Sequence, residues 1–197
     1  MEDSHIAKLE VAPGVHFFGV YDGHGGKILL TLGNEVAEWV RDHLIGLLTK
    51  LDSFKNKNYE QCLKDIYLKI DKTLQSDATA KAQLKTYRKD TGSMYMNASD
   101  DIAMGCGCTA VSAFITPDKI YVGNAGDSRA IVGLKEGGGI KAIPLSEDHK
   151  PDNIEEKARI EKAGGFVEES RVKGILALSR SLGDLEYKQN KKLKPEQ

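Results

Sequence analysis

The chain has 197 residues, 40% of them hydrophobic and 29% charged, with 28 Lys and Arg against 29 Asp and Glu for a net charge of −1. That length fits one domain and is enough to bury roughly 70% of the unfolded surface, so no covalent staple is needed. The balanced charge offers no basic excess for a nucleic-acid or membrane partner, and no apolar run reaches the ~18 residues of a membrane span.

In chain order, residues 6–11 alternate apolar and polar and read as a strand. Pro13-Gly14 signals a turn, and residues 15–21, rich in β-branched and aromatic types, read as a second, buried strand. The two form an antiparallel hairpin. Asp22-Gly23-His24-Gly25-Gly26 follows at the end of the second strand. Residues 27–51 then carry apolar residues at helical spacing, weakened locally by Gly33 and Gly46. A cleaner amphipathic helix covers 58–76, with Tyr59, Cys62, Leu63, Ile66, Tyr67, Ile70 and Leu74 on one stripe. Residues 77–104 are polar and weakly patterned, predicting a helix end and a loop, most mobile over 86–101. A β-rich region follows, with strands at 109–115, 119–122, 128–132 and 140–145 and turns at Thr116-Pro117-Asp118 and Gly137-Gly138-Gly139. Residues 155–163 predict a short helix stopped by Gly164-Gly165, and short strand-like pieces lie near 166–167, 172 and 176–178. The tail 188–197 has no element of its own. Hairpins interspersed with helices predict an α+β fold with antiparallel sheets.

Cys62, Cys106 and Cys108 are an odd number and form no secreted disulfide framework. With no further cysteine nearby a zinc site lacks ligands, and the three read as free thiols of a reducing compartment, cytoplasmic or nuclear. Asn97-Ala98-Ser99 fits a glycosylation acceptor but is a common triplet. Gly105-Cys106-Gly107-Cys108-Thr109-Ala110 matches the loose dinucleotide pattern, yet it follows no convincing strand and leads into β-branched sequence, so a glycine-rich strand start is preferred.

The acidic residues beside strands and glycines carry the chemistry. An antiparallel hairpin places Glu2 and Asp3 beside Asp22, while Asp127 sits inside a later hairpin. Carboxylates gathered at one sheet end repel unless a cation joins them, and oxygen-only donors suit Mg²⁺ or Mn²⁺. Gly23, lacking a Cβ, lets its carbonyl turn toward such an ion. His24 has a near-neutral pKa suited to giving a proton to a leaving oxygen. Each signal alone also fits a plain turn or a solvated strand end.

Taken in order, the motifs resemble the metal-dependent protein serine/threonine phosphatases (PPM, type 2C). They are Met1-Glu2-Asp3-Ser4-His5, Phe18-Gly19-Val20-Tyr21-Asp22-Gly23-His24-Gly25-Gly26, Gly107-Cys108-Thr109-Ala110, Val122-Gly123-Asn124-Ala125-Gly126-Asp127-Ser128-Arg129, Leu145-Ser146-Glu147-Asp148-His149-Lys150-Pro151, Arg159-Ile160-Glu161-Lys162-Ala163-Gly164-Gly165, Arg171-Val172-Lys173-Gly174 and Leu176-Ala177-Leu178-Ser179-Arg180-Ser181-Leu182-Gly183-Asp184. The resemblance implies an antiparallel β-sandwich flanked by helix pairs. It implies two Mg²⁺ or Mn²⁺ ions, with a weaker third in some members, and a bridging water that attacks phosphoserine or phosphothreonine on protein substrates. By motif, Asp22 bridges the metals, Gly23 gives a carbonyl, Glu2 ligates one ion, Asp127 ligates the third, and Asp3 accepts from metal-bound water. His24 is the general acid. Residues 151–178, including Arg171, form a flap beside the site that bears on substrate choice. The resemblance also implies a single catalytic domain over 1–197, cut short at both ends. The family's phosphate-gripping Arg before the first motif is missing, as are two later strands with Asp-Gly and Asp-Asn motifs. The chain alone is therefore expected to be weakly active or inactive, and a monomer. The alternative reading is a catalytically dead member acting as a regulatory binding module.

Overall fold

The computed structural model describes residues 2–25, 33–87 and 101–194. Strands β1 (Asp3–Ala12) and β2 (Val15–Gly25) form the expected hairpin, with Asp3 opposite Asp22 and Lys8 opposite Phe17. Gly14, at φ 69°, makes the left-handed turn residue that this tight connection requires. On its other edge β2 pairs with β4 (Ala110–Ile115), which pairs with β5 (Ile120–Ala125). Toward its C-terminal end β2 changes partner along that same edge, to β3 (Cys106–Cys108), which pairs with β10 (Leu182–Gly183). The result is a six-stranded antiparallel sheet with β2 at its centre.

β2 runs further than the sequence pattern implies. Asp22-Gly23-His24-Gly25 is strand, not the loop after a strand, because Gly23, His24 and Gly25 find cross-strand partners in Cys108, Gly107 and Cys106. The same pairing gives Gly105-Cys106-Gly107-Cys108 its structural role as a strand of the sheet. Cys106 and Cys108 are both buried there.

Helices cover this sheet. α1 (Glu35–Leu48) packs on β1, β2 and β3 and buries Val36, Trp39, Val40, Leu44 and Leu48. The helical reading of 27–51 holds from residue 35; its first residues, 27–32, lie outside the described residues. A single turn, α2 (Asp52–Lys55), leads to α3 (Tyr59–Ser76). There Asn58 caps the first turn by accepting from the Gln61 N–H, and the buried stripe Cys62, Leu63, Ile66, Ile70 and Leu74 faces α1 and β5. Phe17 and Phe114 meet edge to face below these helices, 5.0 Å between ring centroids.

The expectation of a helix end and loop over 77–104 is corrected by α4 (Ala78–Tyr87) and the one-turn α5 (Ile102–Gly105). α4 buries only Ala80 and Leu84, too few apolar positions to announce a helix. Its attachments are polar: Trp39 Nε1–H donates to Gln83, Tyr87 O–H to Asp42, and Lys81 pairs with Asp101. The expected mobile segment 86–101 and the Asn97 triplet fall mainly or wholly in 88–100, outside the described residues.

β6 (Ile131–Glu136) and β7 (Gly139–Pro144) form a separate two-stranded sheet. α6 (Ile154–Lys162) follows, then a small hairpin of β8 (Val167–Glu168) and β9 (Arg171–Val172), and a 3₁₀ turn over Leu185–Tyr187. No helix among the described residues is long and apolar enough to cross a membrane.

Candidate active site

The candidate site lies where β2 changes partners. Asp22 stands opposite Asp3, and the Gly23 N–H donates to the Glu2 carbonyl at 3.2 Å, so the start of β1 and the end of β2 are locked side by side. The two aspartates are exposed to solvent. Partial desolvation of Asp22 and the facing Asp3 carboxyl, which hydrogen-bonds to it, hold the Asp22 carboxyl above the usual carboxylate range, and the charge of Asp127 adds to this. Glu2 reaches the group through its backbone; its exposed carboxylate makes no described contact there.

Thr109, in the break between β3 and β4, organises the partner change. Its N–H donates to the Asp22 carbonyl at 2.9 Å, and its Oγ1 accepts from the Asp22 N–H at 3.0 Å. The same hydroxyl lies 2.7 Å from Ser128 Oγ, which draws the 126–128 bend toward Asp22. Gly126 packs directly on Thr109 at a positive φ of 116°, where a Cβ would collide with the threonine side chain. Asp127 follows. It is not inside a hairpin as the sequence pattern suggests: β5 and β6 do not pair with each other, and Asp127 sits in the connection between two sheets. Its carboxylate takes an ion pair from Lys150 at 3.1 Å.

His24 lies one strand position beyond Gly23, partly buried. Its Nε2 is 2.6 Å from Oδ2 of Asp184, a buried carboxylate. Burial alone would lower the imidazole pKa; the hydrogen bond and charge of Asp184, with Asp22 and Asp127 behind them, outweigh it and raise the pKa above its ordinary value. Asp184 is the site residue that sequence reasoning passes over. Its available signal is a Gly183-Asp184 step after Leu182, the same apolar-to-Asp/Gly grammar that marks Asp22 and Gly23.

Arg171 stands on β9, exposed, with a guanidinium N–H donating to the Ile175 carbonyl at 2.7 Å. It lines a hollow of about 250 Å³ together with Lys150, Pro151, Glu169 and Ala177. Through Lys150 this hollow adjoins Asp127. Nearby, His149 is tied to the same bend, its N–H donating to the Gly126 carbonyl.

Among the described residues no group of three or more His, Cys, Asp or Glu is close enough together to hold a metal ion. What the chain offers is the Asp3–Asp22 pair, with Asp127 in electrostatic reach. All of these donors are hard oxygens, and burial with the facing Asp3 carboxyl raises the Asp22 pKa. That fits Mg²⁺ or Mn²⁺, which are held by one or two carboxylates and keep much of their water.

The antiparallel strands of this α+β fold thus gather acidic side chains and a carboxylate-bound histidine at one end of the sheet. The family model described as "Protein phosphatase 2C" matches residues 1–197, and the chain belongs to that family, whose members are in general metal-dependent. Two relatives from Paramecium tetraurelia, "Probable protein phosphatase 2C 3" and "Probable protein phosphatase 2C 6", are each 44% identical over 99% and 100% of this chain. The chain spans 58% and 60% of their lengths. Among solved structures, a phosphatase from a pathogenic strain of Toxoplasma gondii superposes with a TM-score of 0.62 over 99% of this chain and 63% of its own, at 24% identity. That likeness carries the fold.

Proposed function

We propose that the protein containing this chain hydrolyses phosphoserine and phosphothreonine esters on proteins in a Mg²⁺- or Mn²⁺-dependent reaction, and that residues 1–197 are part of its catalytic domain. The observation that carries this reading is the facing of Asp3 and Asp22 at the end of the β1–β2 hairpin, within a chain of the phosphatase 2C family.

When bound, the divalent metal, two ions on the family pattern, supplies Lewis-acid charge and makes water a better nucleophile at neutral pH. The chain's own residues set the rest. Asp22, Asp3 and Asp127 concentrate negative charge at the mouth of the site, and Asp22 is the ligand on which binding turns. Gly23 through its carbonyl and Glu2 and Asp127 through their carboxylates would be further donors to the ion, and Asp3 would accept hydrogen bonds from water around it. His24 supplies a proton to the departing serine or threonine oxygen. Residues 151–178, including Arg171, form the flap beside the site and bear on substrate choice. Three buried free thiols support a reducing, intracellular setting.

The test is phosphate release from a phosphoserine peptide by the full-length protein. Release should require Mn²⁺ or Mg²⁺, stop in chelator and be lost in Asp22→Ala. A folded full-length protein that binds a partner protein but releases no phosphate would instead assign it a regulatory binding role.

A further inference from the structure

Asp184 is placed by more of the molecule than an ordinary loop carboxylate. Its backbone adopts the left-handed conformation at φ 47°, which is unfavourable for a residue with a Cβ and which Asp tolerates better than most. Gly183 before it is also left-handed, at φ 79°, and a Cβ there would stand 2.6 Å from the Cys106 carbonyl. The Asp184 N–H donates to that same carbonyl at 2.9 Å. Gly107 lies directly beneath the Asp184 carboxylate, where any side chain would overlap it. From the other side Asp71 of α3 accepts the Gly183 N–H at 2.9 Å and is held by Lys188, which also donates to the Ser181 carbonyl. Two glycines, a helix-borne carboxylate and a lysine thus fix one buried side chain, and its Oδ2 meets His24 Nε2 at 2.6 Å.

We infer that Asp184 is a positioning residue for His24, accepting the Nε2–H and aiming the ring so that Nδ1 is the nitrogen that serves the leaving oxygen. Strain held by surrounding structure at a site residue is the pattern expected of pre-organisation, and a carboxylate on one ring nitrogen fixes the role of the other. The inference rests on the proposed phosphatase reading for its chemistry. In that reaction the phosphorus–oxygen ester bond breaks and its electron pair stays on the leaving oxygen. The Nδ1 proton joins that oxygen to give the serine or threonine hydroxyl. Water adds its oxygen and one proton to the phosphate, and its second proton restores Nδ1–H. Nε2 keeps its proton, hydrogen-bonded to Asp184, throughout.

Two measurements on the full-length protein test this. In ¹⁵N-histidine-labelled protein, the Nε2 proton of His24 should appear as a distinct hydrogen-bonded resonance and disappear in Asp184→Asn, a substitution that keeps left-handed tolerance and size. Under Mn²⁺, Asp184→Asn should lower kcat on a phosphoserine peptide, whose alkoxide needs a proton, by about 10- to 100-fold more than on p-nitrophenyl phosphate, whose leaving group does not. KM should change little, and adding His24→Ala should not deepen the loss. Absence of the Nε2 resonance in the wild type, or an equal fall on both substrates, would overturn the inference. A wild type with the resonance but without turnover would instead sink the phosphatase reading and leave the Asp184–His24 pairing standing.

Discussion

Glu156 faces inward from α6 and receives three donors, Arg180, Arg159 and Ser179, the last at 2.6 Å. Burial pulls its pKa upward, but the two guanidinium groups and the hydroxyl outweigh it and bring the carboxyl down to about 2 from the ordinary 4.5. A depressed carboxylate pKa adds stability that is complete above the unfolded value and lost on acidification. Stability should therefore fall between about pH 4.5 and pH 2 in the wild type, and denaturant melts of Glu156→Gln should show that part of the slope missing. At pH 7 the same variant should cost about 2 kcal/mol, the scale of losing hydrogen bonds to a charged group. Deeper in the sheet, Tyr21 O–H and Ser112 Oγ are 3.1 Å apart and buried. Tyr21→Phe should destabilise by about 1 kcal/mol in the same melts, with no loss of folding cooperativity.

Between elements, the contact that sets the site is the clasp of α3 on β10. Asp71→Ala frees the Gly183 N–H, and amide exchange at Gly183 and Asp184 should speed up while β4 and β5 keep their protection. By contrast Leu44→Ala, on the buried face of α1, should lower global stability by about 2–5 kcal/mol and raise exchange everywhere. The elements read from sequence most securely are those with dense apolar periodicity: the β1–β2 hairpin, α3 and the β4–β5 pair all stand where alternation or a helical stripe places them. α4 escapes because two small attachments, Ala80 and Leu84, and polar bonds to Gln83 and Tyr87 hold it, and none of these has a period. The strand character of Gly23 to Gly25 escapes for a different reason. Glycine-rich sequence has low strand propensity, and only the tertiary pairing with β3 makes it strand. Within the site, the approach of Asp3 to Asp22 follows from hairpin register alone, whereas Asp184 meets His24 across 160 positions of chain through β2, β3 and β10, which no local pattern encodes.

Across the whole molecule, the sheet brings acidic groups from β1, β2 and the 126–128 bend to one end and leaves Asp3 and Asp22 opposed. Such an arrangement is relieved by a hard cation, and the 2C phosphatase family to which the chain belongs is metal-dependent. A Mn²⁺ titration of the full-length protein, following phosphate release from a phosphoserine peptide in wild type and in Asp22→Asn, tests the account most directly. It predicts saturable activation of the wild type and at least a hundredfold weaker response in the variant. Turnover independent of added metal and of chelator, or equal responses from the two proteins, would contradict it.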